Sequence, residues 1–155
     1  MAPWAVLAQT IARKGGGTGA LEQIVVADFL KDNYEQHVDN LKVRLKAKSD
    51  ASVEALEDNF GTSAEFGVPS GGIYLWIKFP LEVDTLKPAD KALEAGIAYN
   101  PGPQWSVDCQ PARNHLRICF ANPSIEEIRE GVAKLADVFH AETGIPPRSA
   151  NVSRS

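Results

Sequence analysis

The sequence predicts an α/β protein of the two-layer α+β kind: helices first, one of them long, then a small three-to-four-stranded sheet covered by helices. Three observations carry this expectation. Val38, Leu41, Leu45, Val53, Leu56 and Phe60 lie three to eight residues apart with charges between them, the stripe of an amphipathic helix. At "GGIYLWIKFP", residues 71–80, the period changes to two, with β-branched and aromatic residues bounded by Gly-Gly and Pro. The run "PSIEEIREGVAKLADVFHAE", residues 123–142, then returns to helical spacing behind Ser124 and Glu127, a capping-box pair.

The elements follow in order. Residues 3–13 read as a short helix with Pro3 in its first turn, ended by "KGGGTG" at 14–19. Residues 20–30 form a second helix, expected to be well buried through Leu21, Ile24, Val25 and Phe29. The long helix covers residues 34–60, about 40 Å at 1.5 Å per residue. In the strand at 71–80, Tyr74, Trp76 and Lys78 face one side and Ile73, Leu75, Ile77 and Phe79 the other. Residues 84–96 read as a side-chain-capped helix ending at Gly96, 97–100 as a short strand, 101–112 as loop and 114–122 as a strand. Ile125, Ile128, Val132, Leu135 and Phe139 mark the buried stripe of the last helix. After Gly144 the polar, Pro-containing end reads as a disordered tail.

Bulk properties narrow the function. The chain has 155 residues, enough for one ordinary domain with a core. A net charge of −4 argues against non-specific nucleic-acid binding, and the basic run at 41–48 lies in a helical pattern, as a solvated face would. No apolar run approaches the roughly 20 residues that span a bilayer, and no signal peptide is visible, so a cytoplasmic protein is expected. Cys109 and Cys119 lack CxxC or histidine spacing, and Cys119 reads as a small core residue. His37, His115 and His140 are scattered, so no metal site is expected.

The most informative run is "RNHLRICFANPS", residues 113–124, in which a strand carries Arg117 at its centre. Two readings stay open from the residues alone. Arg117 either lies on a solvated face or in an ion pair, or it offers its planar fork to a carboxylate ligand. Tyr74 and Trp76 either belong to the core or line a pocket. The glycines of "KGGGTG" follow no strand, so they match neither the P-loop nor the dinucleotide fingerprint.

Taken together, "GGIYLWIKFP", "ALEAGIAYNPGPQW" and "RNHLRICFANPSIEEIREGVAKLADV" resemble the C-terminal part of class I/II aminotransferases, pyridoxal-phosphate enzymes of fold type I. The nearest likeness is to the branch of 2-aminoadipate, kynurenine and branched-chain aminotransferases, which also includes regulators fused to a GntR-type DNA-binding domain. The resemblance covers roughly residues 2–142, with "VADFLKDNYEQHVDNLKVRLKAKSDASVEALEDNFG" similar to the helix that joins the large and small domains.

The resemblance implies a role for each matching residue. Arg117 corresponds to the arginine that grips the substrate α-carboxylate, and Tyr74 to an aromatic lining the side-chain pocket. Pro101 and Gly102 correspond to the loop at the pocket rim, and Asn122 and Pro123 to the turn into the last helix. Thr18 corresponds to a segment near the neighbouring subunit's cofactor phosphate. It also implies amino-acid and 2-oxo-acid substrates, a homodimer and pyridoxal phosphate as cofactor, with no nucleic-acid or membrane partner.

None of Lys14, Lys31, Lys42, Lys46, Lys48, Lys78, Lys87, Lys91 and Lys134 stands in the family's Schiff-base motif. The expectation is therefore that residues 1–33 are a helical remnant beside the cofactor domain, 34–143 the small domain and 144–155 a tail, and that this chain alone is inactive. Two alternatives remain: a non-catalytic module binding a carboxylate or a partner, and the tail of a GntR-type pyridoxal-phosphate-binding regulator.

Overall fold

The computed structural model describes residues 19–105 and 112–146; the expected first helix, Thr18 and Cys109 lie outside them. Helix α1 (Ala20–Phe60) is a single helix of 41 residues where the sequence suggests two. The break expected near residues 31–33 contains neither Gly nor Pro, and its side chains bond back along the helix. Asn33 donates its amide to the Phe29 carbonyl at 2.8 Å, and Lys31 pairs with Asp28 at 3.1 Å. Both spacings belong to helix geometry and favour continuation.

The chain divides into two compact units between Lys42 and Val43. The first contributes the N-terminal part of α1. The expected burial there is not observed: Leu21, Ile24, Val25 and Phe29 are 72, 65, 60 and 48% exposed. Their spacing is that of a packing face, but no described residue of this unit covers it.

The second unit is built on a four-stranded antiparallel sheet of order β1-β2-β4-β3. Its strands are β1 (Glu65–Phe66), β2 (Tyr74–Lys78), β3 (Asn100–Pro101) and β4 (His115–Cys119). β1 escaped the sequence reading because two residues are too short to show a period. Its register sets Glu65 against Lys78, and the two pair at 2.8 Å. β3 is shorter and later than the strand expected at 97–100.

β2 alternates as its sequence predicts: Leu75 and Ile77 are buried, while Tyr74, Trp76 and Lys78 are exposed. Against it β4 sets Leu116 opposite Ile77 and Arg117 opposite Trp76. One face of the sheet is therefore apolar. It packs with Leu56 and Phe60 of α1 and with Ile128, Val132, Leu135 and Phe139 of α3 (Ile125–Thr143). Phe139 is the hub, with ring centroids 4.9 Å from Phe79, 5.6 Å from Tyr99 and 6.1 Å from Phe60.

Helix α3 starts as expected, with Ser124 accepting from the Glu127 amide and Glu127 accepting from the Ser124 amide. It ends at Gly144, whose φ of 74° suits glycine. Ile145, assigned by its sequence to a disordered tail, is instead buried in the core. Helix α2 (Ala89–Glu94) is shorter than expected and has no side-chain cap. Asp84 does not cap it; its carboxylate takes the Leu86 amide and the Arg113 guanidinium instead. Thr85 beside it is fully buried, and its hydroxyl donates to the His115 carbonyl at 2.7 Å, tying this segment to the start of β4. No helix among the described residues is long and apolar enough to cross a membrane.

Phe139→Ala removes the ring that joins α3 to α1 and the sheet. It is expected to lower the free energy of unfolding by about 3–5 kcal/mol, read from urea denaturation.

Candidate functional site

The face of the sheet opposite the core carries the polar and aromatic side chains. Arg117 sits at its centre, opposite Trp76 of β2 on one side and Asn100 of β3 on the other. Its guanidinium carbon lies 4.0 Å from the Tyr74 ring centroid and 3.6 Å from that of Trp105. Two rings so close to one planar cation cannot share a face of it, so the guanidinium is held between them. Each such contact is worth about 0.5–2 kcal/mol. Arg117 Nη2 donates to Asn100 Oδ1 at 3.2 Å, which fixes rotation of the fork in its plane.

What Arg117 lacks is an anion. Arg113 pairs with Asp84 at 2.7 Å and Arg129 with Glu54 at 3.0 Å, but Arg117 makes no ion pair among the described residues. Its Nε is buried and has no hydrogen-bond partner among the described residues. The cation is thus half-buried between two rings that position it without neutralising it.

Of the residues singled out in the sequence, Arg117 and Tyr74 come together here. Two others at the site, Trp105 and Asn100, escaped the sequence reading because both lie at or beyond the short β3. The signal that could have found Trp105 is Gly102. A Cβ at Gly102 would run into the Ala112 carbonyl oxygen and lie 2.8 Å from the His115 carbonyl oxygen, so only glycine lets the loop lie against the start of β4. The turn Gly102–Gln104 then closes with the Trp105 amide bonded to the Gly102 carbonyl at 2.9 Å, presenting the indole to Arg117.

His115, two residues from Arg117, stacks on Trp76 with centroids 5.7 Å apart. Its Nδ1 is buried without a partner among the described residues. Burial first, and the nearby Lys78 ammonium second, hold its pKa below the usual 6.5. Cys119, at the end of β4, is an exposed free thiol rather than the core residue its sequence suggests, because it follows Arg117 in the outward alternation. A cleft of about 420 Å³ lies elsewhere, bordered by Ile97, Ile118, Pro123, Gly131 and Leu135, and does not include Arg117. No group of three metal-ligating side chains occurs among the described residues.

Residues 7–135 match the family model for aminotransferase class I and II. The chain belongs to this family. It is 34% identical over 128 residues to an uncharacterised aminotransferase of Saccharolobus solfataricus, covering 81% of this chain and 31% of that one. It is 32% identical over 120 residues to an uncharacterised HTH-type transcriptional regulator of Bacillus subtilis, covering 77% of this chain and 24% of that one. The solved structure of α-aminoadipate aminotransferase from Thermus thermophilus shares the fold, with a TM-score of 0.78 at 24% identity, covering 94% of this chain and 38% of that one. The chain thus spans about a quarter to a third of the length of the curated relatives it matches.

Family members of full length use pyridoxal phosphate, held through a lysine. Among the described residues, Lys78 is the lysine on the Arg117 face, and it is paired with Glu65 at 2.8 Å. Lys48 donates to the Ala121 carbonyl at 2.8 Å, while Lys31, Lys42 and Lys91 pair with carboxylates three residues away in their own helices. Lys46 likewise pairs with Asp50 in its own helix, and Lys134 borders the cleft away from Arg117.

The depressed His115 pKa makes a testable pH statement. The stability contributed by keeping this imidazole neutral is fully present above about pH 6.5 and is lost as pH falls through its folded-state value. An NMR titration of the His115 ring is expected to show a midpoint below 6.5, rising when Lys78 is replaced by Met.

Proposed function

We propose that this chain supplies the small-domain, carboxylate-holding part of an aminotransferase that moves an amino group between an amino acid and a 2-oxo acid. The observation that carries the reading is Arg117: half-buried, held between Tyr74 and Trp105, without an ion pair and with an unpartnered Nε. A substrate α-carboxylate meets the fork in its plane, replacing the missing anion. The two rings shield the faces of the cation from water, and Asn100 holds the fork at a fixed angle. This positions the substrate; the transfer itself belongs to pyridoxal phosphate, which this reading assigns to the cofactor domain. In this reading residues 34–143 form the small domain, residues 1–33 adjoin a cofactor domain, Thr18 lies near the partner subunit's cofactor phosphate in a homodimer, and the isolated chain is inactive.

A second reading rests on the likeness to the Bacillus subtilis regulator. There the same arginine would sense a small carboxylate without turning it over.

Calorimetric titration of the 155-residue chain with a simple monocarboxylate such as butanoate tests both readings. Binding is expected, and Arg117→Gln is expected to weaken it at least about 30-fold, the loss of a charged hydrogen-bonding partner worth about 2 kcal/mol or more. Unchanged binding in the variant contradicts the proposal. Incubation with pyridoxal phosphate followed by borohydride is expected to leave the mass of the chain unchanged; a single modified lysine would overturn its inactivity.

A further inference from the structure

Arg117 shares the outer face of β4 with a second basic side chain. His115 precedes it by two residues, so strand alternation sets both on that face, about 7 Å apart along the strand. One indole links them. Trp76 stands directly opposite Arg117 in the ladder, and its ring stacks with that of His115, centroids 5.7 Å apart and planes inclined by 29°. An imidazolium on an indole face is a favourable cation–π contact, so this platform accepts the ring in either protonation state.

The surrounding charges decide between the two states. Lys78 lies directly opposite His115 on β2, and Glu65 lies opposite Lys78 on β1 and pairs with it at 2.8 Å. Further along β4 stand Arg117 and the Cys119 thiol. Asp84 and Arg113 pair with each other beside Thr85, whose hydroxyl holds the His115 carbonyl. The turn Gly102–Gln104, which lies against the His115 side chain, carries no charge. Burial, and then Lys78, disfavours the imidazolium in the empty site. An anion seated on Arg117 brings a negative charge within reach of the ring, and a negative neighbour favours the imidazolium.

We infer that His115 is a proton-dependent second cation of the Arg117 site: a bound carboxylate draws a proton onto His115, and protonated His115 in turn holds the carboxylate more tightly. The two effects are one coupling free energy read from either end, so they are equal in size. The inference rests on the carboxylate reading of Arg117 and adds a dependence on pH to it. Opposite unit charges about 7 Å apart attract, even in water-like surroundings, by an amount equivalent to about 3-fold in affinity, or about half a pH unit in the histidine midpoint.

The test is an NMR titration of the 155-residue chain between pH 8 and pH 5, with and without saturating 2-oxobutanoate. The carbonyl beside its carboxyl group makes this probe a strong enough acid to stay ionised over that range. The His115 midpoint is expected to rise by about half a pH unit on saturation. The midpoints of His37 on α1 and His140 on α3 are expected to stay in place. Calorimetry is expected to show affinity rising up to about 3-fold from pH 8 to pH 5, and no such rise in His115→Gln. A His115 midpoint that stays put while 2-oxobutanoate binds, or that moves no further than those of His37 and His140, would overturn the inference and leave the carboxylate reading standing. So would a pH dependence of affinity that survives His115→Gln. Absence of 2-oxobutanoate binding at every pH would instead remove the carboxylate reading, and this inference with it.

Discussion

The second unit depends on how one strand is paired. β4 lies between β2 and β3, and its register sets Leu116 against Ile77 and Pro101, and Arg117 against Trp76 and Asn100. Leu116 is fully buried in the core, while its neighbour Arg117 faces the other side. Side chains on a strand alternate strictly, so a slip of one residue would put the cation into the core and the leucine into water. The forces that bury the apolar face therefore also place the guanidinium. The ends of the strand are fixed as well: Asn114 exchanges hydrogen bonds with Phe79, and Thr85 bonds to the His115 carbonyl. The site is rigid because it is the reverse side of the core.

Electrostatics set Arg117 apart from Arg113 and Arg129. Two other arginines in this unit, Arg113 and Arg129, pair with carboxylates. Arg117 is held by two aromatic faces and one amide oxygen, groups that fix its position without cancelling its charge. A structural ion pair would neutralise the cation and leave it unable to bind. Aromatic plates orient the fork and leave its charge available, which supports the proposed role of holding a carboxylate. Lys78 and Glu65 neutralise each other on the same face, so the positive potential is concentrated at Arg117.

Much of this was legible in the sequence, for identifiable reasons. The alternation of "YLWIK" and "HLRIC" assigns both faces of the central strands, and the Ser124–Glu127 pair marks the start of α3. Arg117 and Tyr74 stand out because their residue types are unusual for the positions they hold. The parts that were not legible depend on tertiary structure. Trp105 reaches Arg117 only because Gly102 permits a close approach to residues beyond the loop, and Asn100 matters only through its register with β4. β1 is too short to have a period, and the continuity of α1 across residues 31–33 turns on side-chain bonds of a few tenths of a kilocalorie. Leu21, Ile24, Val25 and Phe29 were expected to be buried and are exposed, because periodicity marks an apolar stripe without saying what, if anything, covers it.

The most direct measurement of the central claim is the NMR resonance of the Arg117 Nε–H in the 155-residue chain, followed as a simple carboxylate is added. This proton is buried without a partner among the described residues, so it reports on a carboxylate held by the neighbouring Nη groups of the same guanidinium. The account predicts a saturable downfield shift as the carboxylate oxygen accepts from the fork, with the Trp105 indole resonance moving in step. An Arg117 Nε–H that stays in place while carboxylate is added, or that moves only as surface lysines and arginines do at high salt, would contradict it.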